Sequence, residues 1–135
     1  MLPYTNQLKD LNDYGLSVTG LKDGDYTVAI DGQSVGTFSA KDLAAGVNLG
    51  NAASGPIFDQ GTKLLEAINA KNNMVHQRFR GVVMFNAPDW LADVAAERKG
   101  AELAKRMKAI DAAQAKVYEL AKPRSHTFTI RPAKS

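Results

Sequence analysis

The chain has 135 residues, 44% hydrophobic and 23% charged, with a formal net charge of +3 and no cysteine. That is the size and balance of one globular domain with a real core, not of a disordered chain. It excludes disulfides and thiolate metal sites, no run of about 18 apolar residues offers a membrane-spanning helix, and the mild, interleaved charge does not point to nucleic acid.

The start, Met1-Leu2-Pro3-Tyr4-Thr5-Asn6, lacks the charged-then-apolar pattern of a signal peptide. The chain is therefore cytosolic, or part of a longer, exported protein. Residues 1–13 read as a polar lead-in, with Leu8, Leu11 and Tyr14 spaced for one helical turn.

A three-stranded meander comes next over residues 14–38, with strands expected at 15–21, 26–30 and 34–38. Leu16 and Val18 alternate with Ser17 and Thr19, the period of a half-buried strand. Lys22-Asp23-Gly24-Asp25 is turn chemistry. Tyr26, Val28 and Ile30 then share one face, and Asp31-Gly32 is a strong hairpin signal. One face of such a sheet is apolar and needs a cover.

Residues 39–55 read as a short helix and a loop. Ser39 stands three before Asp42, a cap signature for a helix over 41–45 that Gly46 stops. Pro56 suits the first turn of the next helix. From there apolar positions step by three and four through Ile57, Leu64, Leu65, Ile68, Val75, Phe79, Val82 and Val83, with one break of the stripe near Lys71 or Asn72. This predicts a helix over 57–85, ended by Asn86-Ala87-Pro88, with Asp89 available to cap a second helix. That second helix is predicted over 90–121, with Leu91, Val94, Leu103, Met107, Ile110, Val117 and Ala121 on one side and a weak point at Gly100. Two long helices joined by a short loop run antiparallel, so residues 56–122 form a helical hairpin. Phe128 and Ile130 alternate in a closing strand over 126–131, expected in the same sheet, and residues 133–135 are a tail. The expected fold is α+β: an antiparallel sheet of three or four strands packed on a long antiparallel helical hairpin, one domain over 14–135.

No residue set completes a catalytic or metal site. His76 has Asn72, Asn73 and Arg80 where a helical metal site needs His or Glu, so it reads as a structural or interface histidine. His126 has Ser125 beside it, but strand neighbours point to opposite faces, and no acid adjoins it in sequence. Asp23, Asp25 and Asp31 lack the ligand array of a calcium loop and read as turn residues. The glycines at 32, 36, 46 and 50 form no phosphate-binding motif. Arg78, Arg80, Arg98, Lys99, Lys105, Arg106 and Lys108 are interrupted by Glu97, Glu102 and Asp111, a solvated helix face more than a nucleic-acid stripe. Trp90, between the helices, either plugs the end of the hairpin or stacks on a ligand.

Several blocks carry a resemblance. They are Leu16-Ser17-Val18-Thr19-Gly20-Leu21, Tyr26-Thr27-Val28-Ala29-Ile30-Asp31-Gly32, Val35-Gly36-Thr37-Phe38-Ser39-Ala40 and Asp42-Leu43-Ala44-Ala45-Gly46-Val47-Asn48-Leu49. Together they resemble the C-terminal region of SGNH/GDSL-type hydrolases, lipase/acylhydrolase-like proteins of planctomycete-like bacteria, in which an esterase-like domain comes first. The resemblance runs from about residue 14 to the end, and its most specific part is 37–49.

The resemblance implies an accessory module and carries no catalytic residue. The family's Gly-Asp-Ser is absent, since Asp31-Gly32-Gln33-Ser34 does not match it, and Asn73-Met74-Val75-His76 has asparagine where Asp-x-x-His needs aspartate. Gly46-Val47-Asn48 matches the family's Gly-x-Asn block only by coincidence of position. Ester hydrolysis by this route needs serine, base and oxyanion donors together.

The expected role is to pack against an SGNH-type catalytic domain, to dimerise it, or to present a carbohydrate or ester substrate. No cofactor and no metal is expected. The loop 48–55 and the helix start at Pro56 are expected to face the active site, and the candidate binding residues are Asn48, His76 and Trp90. Without its partner such a module exposes an apolar patch and self-associates. A carbohydrate-binding or protein-interaction module without any hydrolase is the alternative.

Overall fold

The computed structural model describes residues 13–133. The lead-in expected over 1–13, with its turn through Leu8 and Leu11, lies outside the described residues except for Asp13, and so do Lys134 and Ser135 of the tail. The protein is α+β, with a small antiparallel sheet and two long helices that form a hairpin-like pair. It divides into two compact units, one made of the chain up to Gly61 and from Arg124 on, the other Thr62–Pro123.

In the first unit, strand β2 (Asp25–Ile30) lies between β3 (Gln33–Ser39) and β5 (Phe128–Pro132), antiparallel to both. The expected two-residue turn joins β2 to β3. Asp31 and Gly32 both have positive φ, 49° and 83°, which is the type I′ geometry that matches strand twist. Past this turn the register shifts between Val28 and Ala29, so that Val35 is the extra residue of a β-bulge.

The first expected strand is corrected. Only Gly15–Leu16 (β1) is strand, and it pairs with β4 (Val47–Asn48) in a separate two-stranded ladder. A strand has two edges, and β3 and β5 take both edges of β2. The segment after β1 therefore bonds elsewhere: the Val18 amide donates to the Leu43 carbonyl at 2.9 Å.

Helix α1 (Ala40–Ala45) starts as read. Ser39 is its N-cap, its Oγ accepting from the Asp42 amide at 3.1 Å and donating to Asp42 Oδ2 at 2.7 Å. This helix delivers Leu43 onto the sheet. Val28, Ile30, Leu43 and Leu49 form the buried core, with Leu16, Val35, Phe38, Ile57 and Ile130 packed around it. Each such side chain contributes roughly 1.5–3 kcal/mol when fully buried. The apolar face of the sheet is thus covered by side chains of its own unit.

The loop after β4 is fastened at both ends. Leu49 sits in the core, and Gly55, with φ 99°, lies so close to the bulge that a Cβ there would meet Val35 Cγ1 at 2.6 Å. Asn51, Ala53 and Ser54 are the part of the loop left exposed.

Helix α2 (Pro56–Arg78) runs without a break at Lys71 or Asn72 and ends in a π turn, Phe79–Val83, where the sequence predicted α-helix to residue 85. Helix α3 (Ala92–Ala121) is continuous through Gly100 and is preceded by a 3-10 turn, Asp89–Leu91. The expected cap by the Asp89 side chain is not formed; Pro88 holds the N-cap position, and the Leu91 amide donates to its carbonyl at 2.8 Å.

Three cross-links fix the antiparallel register within the second unit. Lys71 Nζ donates to Gln114 Oε1 at 3.1 Å, Arg106 Nη1 to the Gln77 carbonyl at 3.1 Å and Lys99 Nζ to the Val83 carbonyl at 3.2 Å. As one partner advances along the chain, the other recedes.

Replacing Gly55 by alanine is expected to lower the stability of the first unit by about 1–3 kcal/mol, from positive φ and the clash with Val35 together. Urea unfolding followed by circular dichroism measures it.

Candidate functional site

Two clusters stand out, one in each unit. The first joins the β2–β3 turn to the approach to β5. His126 Nδ1 and Asp31 Oδ2 are 2.7 Å apart, and the Thr127 amide donates to Asp31 Oδ1 at 2.8 Å. The Asp31 amide in turn donates to the Thr127 carbonyl at 2.9 Å. Asp31 is therefore more than a turn residue, and His126, which has no acid beside it in sequence, has one in space. Registering the closing strand against β2, with Ile30 opposite Phe128, would have revealed the pair.

The hydrogen bond from His126, then that from the Thr127 amide, holds the Asp31 carboxyl below its ordinary range. An ionised carboxylate only accepts, so Nδ1 carries the proton and Nε2 is the ring nitrogen left for other chemistry. The His126 side chain is 10% exposed, and Phe128 stacks on Tyr14 with ring centroids 6.3 Å apart. An Asp–His pair orients an imidazole as a general base needs. No nucleophile touches this imidazole among the described residues, so the pair as it stands is a clamp between distant segments.

The second cluster is the hairpin. A lone helical pair has one mutual seam, and a stripe wider than that seam stays open. Among the described residues, Val82, Ile110 and Val117 are the buried hydrophobics of this unit. Leu65, Val75, Phe79, Met84, Phe85, Met107 and Tyr118 are exposed, several of them on the very stripe that the sequence marks as apolar. At the connected end, the π turn, the linker and the first turns of α3 line a cavity of about 370 Å³ that is open to solvent. Small side chains make that room: Ala87, Ala92, Ala95 and Ala96, with Val82 and Phe85 beside them. Arg98, Lys99, Glu102 and Arg106 also line it, together with Gly81 and Asn86. Arg106 Nε donates to Glu102 Oε1 at 2.7 Å and holds that carboxyl below its usual range.

The three residues expected to bind a ligand lie apart in role. Asn48 serves the backbone, its Oδ1 accepting from the Tyr14 amide at 3.0 Å and the Gly50 amide at 2.8 Å. His76 lies on the exposed surface of the last turn of α2. Trp90 is 82% exposed, so it does not plug the hairpin end and remains available for contact. The cavity itself gave no sequence signal, because alanines in a helix read only as helix formers.

No protein-family model matches the chain, and no curated protein matches it. Among solved structures it is similar to BT4096, a gut microbial diltiazem-metabolizing enzyme, with a TM-score of 0.67 and 23% identity. The match covers 90% of this chain and 34% of that one, so the chain spans about a third of the enzyme's length. At this identity the likeness shows the fold.

The Asp31 clamp predicts a pH dependence. A carboxyl whose folded-state pKa is lowered contributes stability that is present above its unfolded pKa of about 4 and is lost as the pH falls through the folded value. Asp31→Asn is therefore expected to lower the thermal midpoint at neutral pH, and the gap from the parent chain is expected to narrow as the pH is taken from 5 to 2.

Proposed function

We propose that the chain is a non-catalytic module of an SGNH/GDSL-type ester hydrolase, acting by packing against the catalytic domain, by dimerising it or by presenting substrate to it. The observation that carries this reading is the lopsided match: a fold filling nearly all of this chain occurs as about a third of a longer enzyme. The blocks at residues 16–21, 26–32 and 35–49 support the hydrolase assignment, while the missing Gly-Asp-Ser and Asp-x-x-His are why no catalytic residue is assigned to this chain. The apolar residues along the hairpin supply a surface of the kind that partner domains cover.

A second reading, a carbohydrate-binding module, is favoured by the exposure of Trp90. Tyr26 lends it less, since its hydroxyl donates to the Lys22 carbonyl at 3.0 Å and its ring packs against the core. Polysaccharide retention that disappears in Trp90→Ala is the result expected from this alternative.

Assayed on p-nitrophenyl acetate and butyrate, the chain by itself is expected to give no turnover above buffer. In the source genome, Gly-Asp-Ser and Asp-x-x-His are expected in the same reading frame or in an adjacent gene. Hydrolysis by the chain itself that is lost on a Ser→Ala substitution would contradict the module reading.

A further inference from the structure

The cavity at the hairpin end has the size of a small-molecule site, for which ~300–1,000 Å³ is usual. Its two surfaces differ in chemistry. Ala92, Ala95 and Ala96 fall at helical spacing, so one stretch of α3 presents a shallow apolar trough with no side chain long enough to fill it. Val82, on the π turn, and Phe85, just beyond it, form an apolar wall. The π turn widens the backbone here, and such turns recur at functional sites.

The charged part of the lining is mainly cationic. Three bases stand against one acid, and that acid, Glu102, is committed to Arg106. Arg106 is held further by the Gln77 carbonyl, and Lys99 by the Val83 carbonyl, which fixes both side chains in place; Glu102 meets the charge of Arg106, and the carbonyl leaves that of Lys99 unpaired with any acid among the described residues. Arg98 makes no hydrogen bond or ion pair among the described residues. Its guanidinium presents a planar fork of donors, the partner that a carboxylate fits best.

From this arrangement we infer that the hairpin end binds a small amphipathic carboxylate, an alkyl or aryl acid whose apolar body lies along Ala92, Ala95 and Ala96 and whose carboxylate meets Arg98 with Lys99 beside it. Neutral apolar molecules leave the cations without a partner, and alkylammonium ions meet like charge. Very short acids satisfy the cations and leave the trough empty. The site needs no residue outside the second unit, so it stands whether or not a hydrolase domain accompanies the chain.

The test is titration of the isotope-labelled full chain by NMR with three probes: octanoate, octylammonium and acetate. Saturable shifts for octanoate are expected at Gly81, Ala95, Arg98 and Lys99, with affinity at least roughly tenfold above either comparator, a ratio equal to one decade in Kd. Ala95→Leu, which keeps a good helix former while filling the trough, is expected to weaken octanoate by about tenfold or more. Arg98→Gln, at an exposed position that does not endanger the fold, is expected to weaken it several-fold and to reduce its sensitivity to salt. Equal binding of octylammonium, shifts spread along Leu65, Val75 and Tyr118 instead of the cavity, or an Arg98→Gln variant that binds octanoate as the parent does would each overturn the inference.

Discussion

Strand β5 lies against β2, and residues from opposite ends of the chain meet there. Thr27 pairs with Arg131 and Ile30 with Phe128, and just beyond the ladder Asp31 grips both His126 and the Thr127 amide. Bringing segments about a hundred residues apart together carries a loop-closure cost, but that cost grows only slowly with loop length. A five-residue ladder on the central strand, with the Asp31 clamp at its end, offsets it. Once β5 holds one edge of β2 and β3 the other, the remaining choices narrow. The segment after Leu16 does not pair with β2 and bonds to α1 instead, through the Val18 amide to the Leu43 carbonyl and Ser17 Oγ to the Ala44 carbonyl. Leu43 and Leu49 become the cover of the sheet, and Val35 in the bulge fixes where Gly55 passes.

The same closure lets the intervening chain obey other rules. Residues 62–123 leave the β unit and return to it, so they need not supply the core that holds the chain ends together. Their side chains agree with that freedom. Two helices share one seam, three hydrophobic side chains are buried, and aromatic and aliphatic residues remain in contact with solvent. Such a unit is suited to presenting surface. The module reading uses its length, through the apolar stripe; the carboxylate site uses its end, where alanines and a π turn leave space beside unspent positive charge.

The sequence was legible where the signal is local. Asp31-Gly32 announced its turn because two consecutive positive φ values suit few residues, and Ser39 announced α1 because its oxygen caps an amide three residues on. The long helices were legible from spacing, although the π turn was not, since nothing in Phe79-Arg80-Gly81-Val82-Val83 distinguishes a wide turn from an ordinary one. Strand partners were legible only in part. Residues 15–21 alternate as a strand does, yet alternation says nothing about which edge is vacant. The Asp31–His126 pair was hidden for a related reason: 95 residues separate its members, and each has a sufficient local explanation. Trp90 was visible as a choice between plug and contact, and its exposure decides against the plug.

The β unit, which holds the buried core around Val28, Ile30, Leu43 and Leu49, is expected to be the more stable of the two. Native-state hydrogen exchange of the full chain tests this most directly, because it reads the opening free energy of each amide. The amides of β2, and that of Leu43, are expected to exchange slowest, and those of Ala92–Ala121 at least roughly a hundredfold faster after correction for intrinsic rates. Equal protection in both units, or greater protection in α3, would contradict the account and place the principal core in the hairpin.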